Sequence, residues 1–323
     1  MIKRPRRLRH NSAIRSMVRE TTLNIDDLVY PLFVIEGEGV KNEISSLKGQ
    51  YHYSLDKLED EINEISRLGI QAILLFGLPN MKDSLASEAY RDTGIVQRAL
   101  KEIKRINKEM LVITDICMCQ YTDHGHCGVL YGEYVDNDKT LDYIAKIALS
   151  HARAGADMVA PSDMMDGRIS SIRSLLDKNG FSNVSIIAYS AKYASAFYGP
   201  FRAAANSAPG FGDRKTYQMD PANSDEALRE VELDLDEGAD IVMIKPALAY
   251  LDVVQRVKYN YNVPVAAYNV SGEYAMIKTA SEKGLIDEQK IVLEILTGMK
   301  RAGADIIISY HAKDVAKWIK GGK

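Results

Sequence analysis

Short runs rich in β-branched and aromatic residues alternate along this chain with longer stretches whose apolar residues recur every three or four positions. The first run, Leu28 to Ile35, reads Leu-Val-Tyr-Pro-Leu-Phe-Val-Ile and predicts a strand in spite of Pro31. Ser54 then stands where it can cap a helix that carries Leu55, Leu58, Ile62 and Ile65 on one side and stops at Gly69. The alternation continues with strands at 70–76, 110–115, 157–161, 184–190, 240–244, 263–269 and 305–310. Between them lie helices at about 94–107, 139–154, 169–178 and 224–237, one ending near Tyr259, two beginning at Glu273 and Glu288, and a last one through Trp318. The pattern gives eight strands, each followed by helix.

A weak internal repeat supports that count. Ala-Gly-Ala-Asp occurs at 154–157 and 302–305, and Glu-Gly-Ala-Asp at 237–240, each where a helix should stop and a strand begin. Glycine suits that junction because it accepts the left-handed backbone that ends a helix. Eight αβ units joined by right-handed crossovers close most simply as a (β/α)8 TIM barrel, with a doubly wound open sheet as the alternative. No Gly-x-Gly-x-x-Gly opens any of the helices, which removes the main support for a dinucleotide-binding sheet. The expected organisation is an N-terminal arm over residues 1–24, a single catalytic barrel over 25–323, and a long irregular segment at about 193–220, after the fifth strand, that has the length of an active-site lid.

Composition adds little except at one end. The 323 residues carry a formal net charge of −3, which gives no reason to expect nucleic acid or an anionic membrane as partner. The exception is Lys3-Arg4-Pro5-Arg6-Arg7-Leu8-Arg9-His10, a basic run with no apolar segment behind it and with acidic residues close after it, unlike a secretory or transit signal. It reads as an arm reaching onto a neighbouring subunit, with a nucleic-acid tail as the lesser alternative. No stretch approaches the roughly 20 apolar residues of a membrane span, and a cytoplasmic protein is expected.

All three cysteines, Cys117, Cys119 and Cys127, fall between Asp115 and Gly128, where the third strand should end. Thiols gathered so tightly in a chain without a secretory signal suggest a metal rather than a disulfide framework. Three ligands with one position left open is the pattern of catalytic zinc, whereas His124 or His126 as a fourth ligand would make a closed structural knuckle. Other unusual residues also fall where barrel enzymes keep their chemistry, after the C-terminal ends of strands. Lys192 follows the fifth strand, Lys245 ends the sixth, Ser271 and Gly272 follow the seventh, and Tyr310 and His311 the eighth. An ammonium at a buried strand rim is costly unless paired or neutral, and two lysines near each other depress each other's pKa toward the free amine that attacks carbonyls. The bland reading is that each lysine snorkels to water or meets a carboxylate. Arg202, Arg214 and Lys215 on the irregular segment suit a substrate carboxylate or phosphate, or are simply solvated surface charge.

These residues resemble one family along almost the whole chain. The matching motifs are Arg-Pro-Arg-Arg-Leu-Arg at 4–9, Asp-x-Cys-x-Cys-x-Tyr-Thr-x-His-Gly-His-Cys-Gly at 115–128, Val-Asp-Asn-Asp at 135–138 and Ala-Pro-Ser-Asp-Met-Met-Asp-Gly at 160–167. They continue with Tyr-Ser-Ala-Lys-Tyr at 189–193, Phe-Tyr-Gly-Pro-Phe-Arg at 197–202, Gly-Asp-Arg-Lys-x-Tyr-Gln-Met at 212–219, Met-Ile-Lys-Pro at 243–246 and Val-Ser-Gly-Glu-Tyr-Ala-Met-Ile-Lys at 270–278. The chain resembles the porphobilinogen synthases, or 5-aminolevulinate dehydratases, of the zinc-dependent type. The resemblance implies condensation of two 5-aminolevulinate molecules to porphobilinogen with loss of two waters, a step of tetrapyrrole and haem synthesis. It assigns Lys245 as the imine-forming lysine of the substrate that supplies the propionate side, and Lys192 as the second Schiff-base lysine. It places Ser271 and Tyr310 on the first substrate's carboxylate, and Arg202, Arg214 and Gln218 on the second's. It makes Cys117, Cys119 and Cys127 the zinc ligands and gives Asp115 and Ser162 supporting roles. It also implies a homo-octamer wrapped by the arm, and aligns Glu230 with a glutamate that binds an allosteric magnesium in many bacterial members, where a solvent-facing glutamate is the plain reading. Leu248, where a glycine is common, and His311, where an apolar residue is usual, depart from the pattern. A class I lysine-imine aldolase would share the barrel and Lys245 without needing the thiols, and a zinc-stabilised scaffold would need neither lysine.

Overall fold

The computed structural model describes residues 2–321. Eight parallel strands form its centre: β1 (Leu28–Ile35), β2 (Ala72–Leu78), β3 (Leu111–Ile116), β4 (Met158–Pro161), β5 (Ser185–Lys192), β6 (Ile241–Lys245), β7 (Val265–Asn269) and β8 (Ile306–Ser309). Each pairs with the next, and β8 returns to β1 through Leu28 opposite Ile307 and Val29 opposite Ile308, so the sheet closes into the expected barrel. Pro31 stays within β1, in register opposite Leu74 of β2.

Around the barrel run α1 (Leu58–Arg67), α2 (Ile95–Ile106), α3 (Asn137–Ala154), α4 (Arg168–Lys178), α5 (Asp225–Asp236), α6 (Leu251–Asn260), α7 (Ser271–Glu282), α8 (Glu288–Ala302) and α9 (Ala312–Lys320). The period-two rule sorts the strand residues between two cores. Val29, Phe33, Leu74, Phe76, Ile113 and Ile187 fill the barrel interior. Leu28, Tyr30, Leu32, Ile73, Leu75 and Val112 face the helices and meet Ile62, Ile65, Ala99 and Leu100. Several local expectations change. Ser54 precedes a single 3-10 turn, and its hydroxyl binds Val40 N and Asp56 Oδ1 instead of capping α1. Short strands at Lys41–Glu43 and Tyr51–Tyr53 extend the sheet beside β1, and the irregular segment holds a one-and-a-half-turn helix, Gly199–Ala204. The strand reading for β5 stopped two residues early, because Ala191 and Lys192 continue the ladder with Ile244 and Lys245.

The Gly-Ala-Asp repeat has a physical explanation. Gly155, Gly238 and Gly303 take φ of 107°, 104° and 119° as helices end. The aspartate two residues later then grips the first turn of the preceding strand: Asp157, Asp240 and Asp305 accept the backbone N–H of Val112, Ile186 and Val265 at 2.7, 2.7 and 2.8 Å. Each aspartate also donates its own N–H to the carbonyl of that same residue. The device therefore fastens β4 to β3, β6 to β5 and β8 to β7 at the end of the barrel away from the site. Lys104 and Lys258 add ion pairs of 2.7 Å to Asp157 and Asp305.

A Cβ on Gly303 would lie 2.6 Å from Lys258 Cβ, in a backbone region L-residues avoid, whereas one on Gly284, at φ 68°, would meet only open space. Gly303→Ala is expected to cost about 1–3 kcal/mol of unfolding free energy, more than Gly284→Ala at about 1–2 kcal/mol. Urea midpoints compare them, and equal losses would show that the Lys258 contact carries no weight.

Candidate active site

Lys192 and Lys245 end adjacent strands and stand directly opposite each other. Their placement depends on an irregularity. Val242 pairs with Ala188 but Ile244 with Ala191, so β5 spends three residues where β6 spends two. The extra residue is a bulge, which reverses the inward–outward alternation. Ile187 and Tyr189 point into the barrel, and without the bulge Lys192 would point out toward the helices. With it, Lys192 joins Lys245 on the inner face, and both are buried.

Lys245 Nζ sits among aromatic rings, 4.4 Å from the centroid of Tyr268, 5.0 Å from Tyr189, 5.2 Å from Phe201 and 5.4 Å from Tyr198. Burial and then the Lys192 charge lower its pKa to about 7, against a smaller opposing pull from Asp115. It is thus substantially a free amine at neutral pH. Lys192 Nζ donates a short hydrogen bond to the Ser162 carbonyl and lies 5.6 Å from the Tyr189 ring. Asp115, at the end of β3, is buried and accepts from Gln120 Nε2 at 2.9 Å. Burial pushes its carboxyl up, while Gln120, the two lysines and Ser162 pull it down.

Cys117, Cys119 and Cys127 follow β3 as buried free thiols whose sulfurs all lie within 4.8 Å of one another. Hydrogen bonds from Cys117 and Cys119 hold Cys127 well below the usual thiol range, with help from Arg214 and Lys192, and Cys117 is pushed up in return. Three soft donors this close fit a metal ion without rebuilding the loop. His126 does not close that set. Its Nδ1 meets Tyr217 Oη at 3.0 Å and its Nε2 the Phe211 carbonyl at 3.1 Å, so the imidazole fastens the lid to the loop. His124 also lies outside the sulfur cluster. Its carbonyl accepts from Gly210 N at 2.9 Å, another lid contact.

The lid covers both groups. Arg214 donates to the Gly125 carbonyl at 2.9 Å and to the Ser207 carbonyl. Arg202 Nε, Arg214 Nε and both amide atoms of Gln218 are buried with no hydrogen-bond partner among the described residues. All three side chains line the same small cavity as Asp115, Cys119, Gln120, Ser162, Lys192 and Lys245. Its volume is about 20 Å³, enough for one water, so a larger ligand requires the lid to move.

Ser271 and Tyr310 stand apart from that wall. Ser271, first residue of α7, accepts from Phe201 N at 3.0 Å and donates to the Phe197 carbonyl at 3.2 Å, and Tyr310 is buried with its hydroxyl 3.4 Å from that of Tyr268. The N-terminal segment of the lid thus occupies Ser271. Glu230 is also elsewhere, half-buried in a separate cavity of about 490 Å³ that Asn137, Asp166, Asp220 and Glu226 help to line. Burial raises its carboxyl to about 7, so it is not a freely solvated glutamate. Leu248 lies in a 3-10 turn with its N–H on Glu273 Oε1 at 2.9 Å and its side chain against the core. Sequence reasoning missed Gln120 and the ring cage of Tyr189, Tyr198, Phe201 and Tyr268. Tyr189 and Tyr268 were legible as inward alternation, but the two lid aromatics gave no such signal.

A closed (β/α)8 barrel that gathers two buried lysines, one with a lowered pKa, beside three thiols and buried arginine and glutamine side chains at the C-terminal ends of its strands has the layout of a barrel enzyme. The delta-aminolevulinic acid dehydratase family model matches residues 2–318, and the chain belongs to that family. A delta-aminolevulinic acid dehydratase of Halalkalibacterium halodurans is 58% identical over 321 residues, covering 99% of this chain and 98% of the relative. One of Bacillus subtilis is 55% identical over 316 residues, covering 98% of each. The crystal structure of the porphobilinogen synthase of Toxoplasma gondii ME49, in complex with its reaction product porphobilinogen, superposes with a TM-score of 0.96 at 46% identity, covering 98% of this chain and 92% of that one.

Because the free amine is the reactive form, reductive trapping of a small keto acid on Lys245 should rise with pH through about 7. Lys192→Met removes a like charge and should move that midpoint upward, read by mass spectrometry of the trapped peptide. A wild-type midpoint near about 10, the value of a solvated lysine, would refute the burial argument.

Proposed function

We propose that this chain condenses two molecules of 5-aminolevulinate into porphobilinogen with loss of two waters, through imines on Lys192 and Lys245. The observation that carries the reading is the bulge-set pairing of two buried lysines, one titrating at about 7, beneath a lid with unpartnered arginine and glutamine atoms. Each amine attacks a substrate ketone and expels one water, which accounts for both waters lost. The α-carbon of one substrate then joins the imine carbon of the other, and an amino group closes the ring on the remaining imine carbon. Both lysines leave as amines, so the enzyme is regenerated. Holding both reactants in one closed space makes each bond formation effectively intramolecular.

Joining two copies of one molecule in a fixed order requires two different carboxylate sites. Arg202, Arg214 and Gln218 supply a cationic site on the lid for one substrate. Ser271 and Tyr310 supply a hydroxyl site for the substrate on Lys245, reached when the segment at Phe197 and Phe201 lifts from Ser271. Asp115, with its carboxyl pushed up by burial, is placed to pass protons near both amines, and Ser162 holds Lys192 through its carbonyl. The three cysteines would hold zinc, which supplies Lewis-acid polarisation of the second substrate when bound. Thiols kept reduced in this way fit a cytoplasmic enzyme. No helix among the described residues is long and apolar enough to cross a membrane.

The arm fits a subunit contact. Its residues from Pro5 to Met17 form two short helices, neither of which buries a side chain against the rest of the described residues. An octamer closed by such arms is the assembly we assign. Glu230, raised by burial and by Asp234, Asp166 and Glu226, fits a magnesium that keeps most of its waters, because among the described residues it belongs to no group of three close ligand side chains.

Purified protein, kept reduced and given 5-aminolevulinate, should form pyrrole with zinc and stop on chelation. Pyrrole that survives chelation would remove the metal from the mechanism, and no pyrrole under either condition would sink the reaction. Lys245→Met should abolish turnover, which separates this reading from a scaffold. Arg202→Ala should raise KM roughly ten- to hundredfold, the weight of a charge-assisted hydrogen bond of about 1.5–3 kcal/mol, with a smaller change in kcat.

A further inference from the structure

On the outer side of β8, behind Tyr310, the N-terminal ends of two helices bring together a cluster of different chemistry. Glu288 begins α8, Asp314 lies in the first turn of α9, and His311 is the residue just before α9. One ligand atom from each lies within 4.8 Å of the others. Apart from the three thiols, this is the group of metal-capable side chains this close among the described residues. We propose that Glu288, His311 and Asp314 bind a divalent transition-metal ion, entering in exchange for the Lys278 ammonium.

His311 points to a ligand independently of the carboxylates. It is fully buried, and neither ring nitrogen has a hydrogen-bond partner among the described residues, although buried imidazole nitrogens are normally satisfied. The ring meets Tyr274 at a tilt of 46°, 4.4 Å between centroids, and one of its nitrogens lies within 4.8 Å of a carboxylate oxygen of both Glu288 and Asp314. Burial and then the Lys278 charge lower its pKa to about 3, so it is the neutral imidazole that a metal requires.

The carboxylates already demonstrate that a cation is stable here. Lys278, reaching over from α7, pairs with Glu288 Oε1 at 2.5 Å and Asp314 Oδ2 at 3.0 Å. One ammonium against two carboxylates leaves one negative charge uncompensated, and an ammonium can only donate, so it does nothing for an imidazole lone pair. A divalent ion would neutralise both carboxylates and take the imidazole as well. Lys278 has somewhere to go, because its stem is part-exposed and its Nζ already lies 5.4 Å from the Tyr274 ring centroid. One imidazole and two carboxylates suit manganese, iron, cobalt or zinc in the divalent state, whereas magnesium prefers oxygen alone.

Manganese is the probe, because it disfavours thiolates and its free ion is counted directly by electron paramagnetic resonance. Titration of the full-length protein should show one more manganese bound per chain in the wild type than in His311→Leu. Asp314→Asn, at a part-exposed position, is the second variant should the leucine disturb folding, and should lose the same ion. Lys278→Met should bind that ion about tenfold or more tightly, the competitor being gone. Identical isotherms for wild type, His311→Leu and Asp314→Asn would overturn the site. An affinity unchanged in Lys278→Met would overturn the exchange.

Discussion

One extra residue in β5 sets the geometry on which the chemistry depends. β-Strand side chains alternate, so two lysines at the same height on neighbouring strands share a face only if the two strands are in phase. β5 and β6 are in phase up to Ala188 and Val242 with Ile187 and Ile241 turned inward, and continuing so would have put Lys192 on the helix side. The bulge supplies the missing half-period at the last moment, after the core layer is complete and before the strand ends. The core is therefore packed by a regular ladder, and only the strand's last residues, Lys192 among them, are re-aimed.

Placing two ammoniums together inside a barrel would be ruinous if both stayed charged, since burial and like charge act in the same direction. The site answers in three ways. Aromatic faces around Lys245 attract a cation weakly, about 0.5–2 kcal/mol, without pinning it as a carboxylate would. Asp115 lies close enough to temper the shift but is committed to Gln120. The remaining cost falls on the proton, which leaves Lys245 near neutrality. A free amine is what imine formation uses, so in the proposed reaction the unfavourable term would serve reactivity. The lid shows the same economy on the ligand side. Unpartnered buried atoms on Arg202, Arg214 and Gln218 each carry a desolvation cost of about 1–3 kcal/mol that a substrate carboxylate can relieve.

The barrel was legible because its signals are local: β-branched runs, helical periodicity and a Gly-Ala-Asp punctuation that proves to be backbone capping as well as helix termination. Both lysines and the thiols were legible as candidates because charge and cysteine are rare at strand ends. What could not be read was phase and partnership. Nothing in Ala-Tyr-Ser-Ala-Lys announces a bulge, and a period-two reading of β5 ending at Ser190 left Lys192 in a loop. The histidines after Cys119 could be ligands or latches until the lid partners of His126, Phe211 and Tyr217, were placed 85 and 91 residues downstream, and Gly210 was placed on the His124 carbonyl. Glu230 looked like a surface residue on an amphipathic helix, and only the folded cavity shows it among other acids.

The anchoring of the lid ties its movement to the reacting lysines. Its two ends meet at Lys192: Met219 N donates to the Lys192 carbonyl at 3.0 Å and Ala194 N to the Met219 carbonyl at 2.8 Å. Its N-terminal part sits on Ser271 and so close to Gly272 that a Cβ there would lie 2.5 Å from the Phe197 carbonyl oxygen, and its middle is latched to the cysteine loop through His124, Gly125 and His126. A loop closed at its base moves as a flap about that base. Lifting it would uncover Ser271, withdraw the two arginines and expose the thiols in one motion, and lowering it would bring the arginines back over the lysines and return Phe197 and Phe201 to Ser271. For the proposed reaction the two carboxylate sites would then be offered at different lid positions, the hydroxyl pair with the segment raised and the cationic side chains with it lowered.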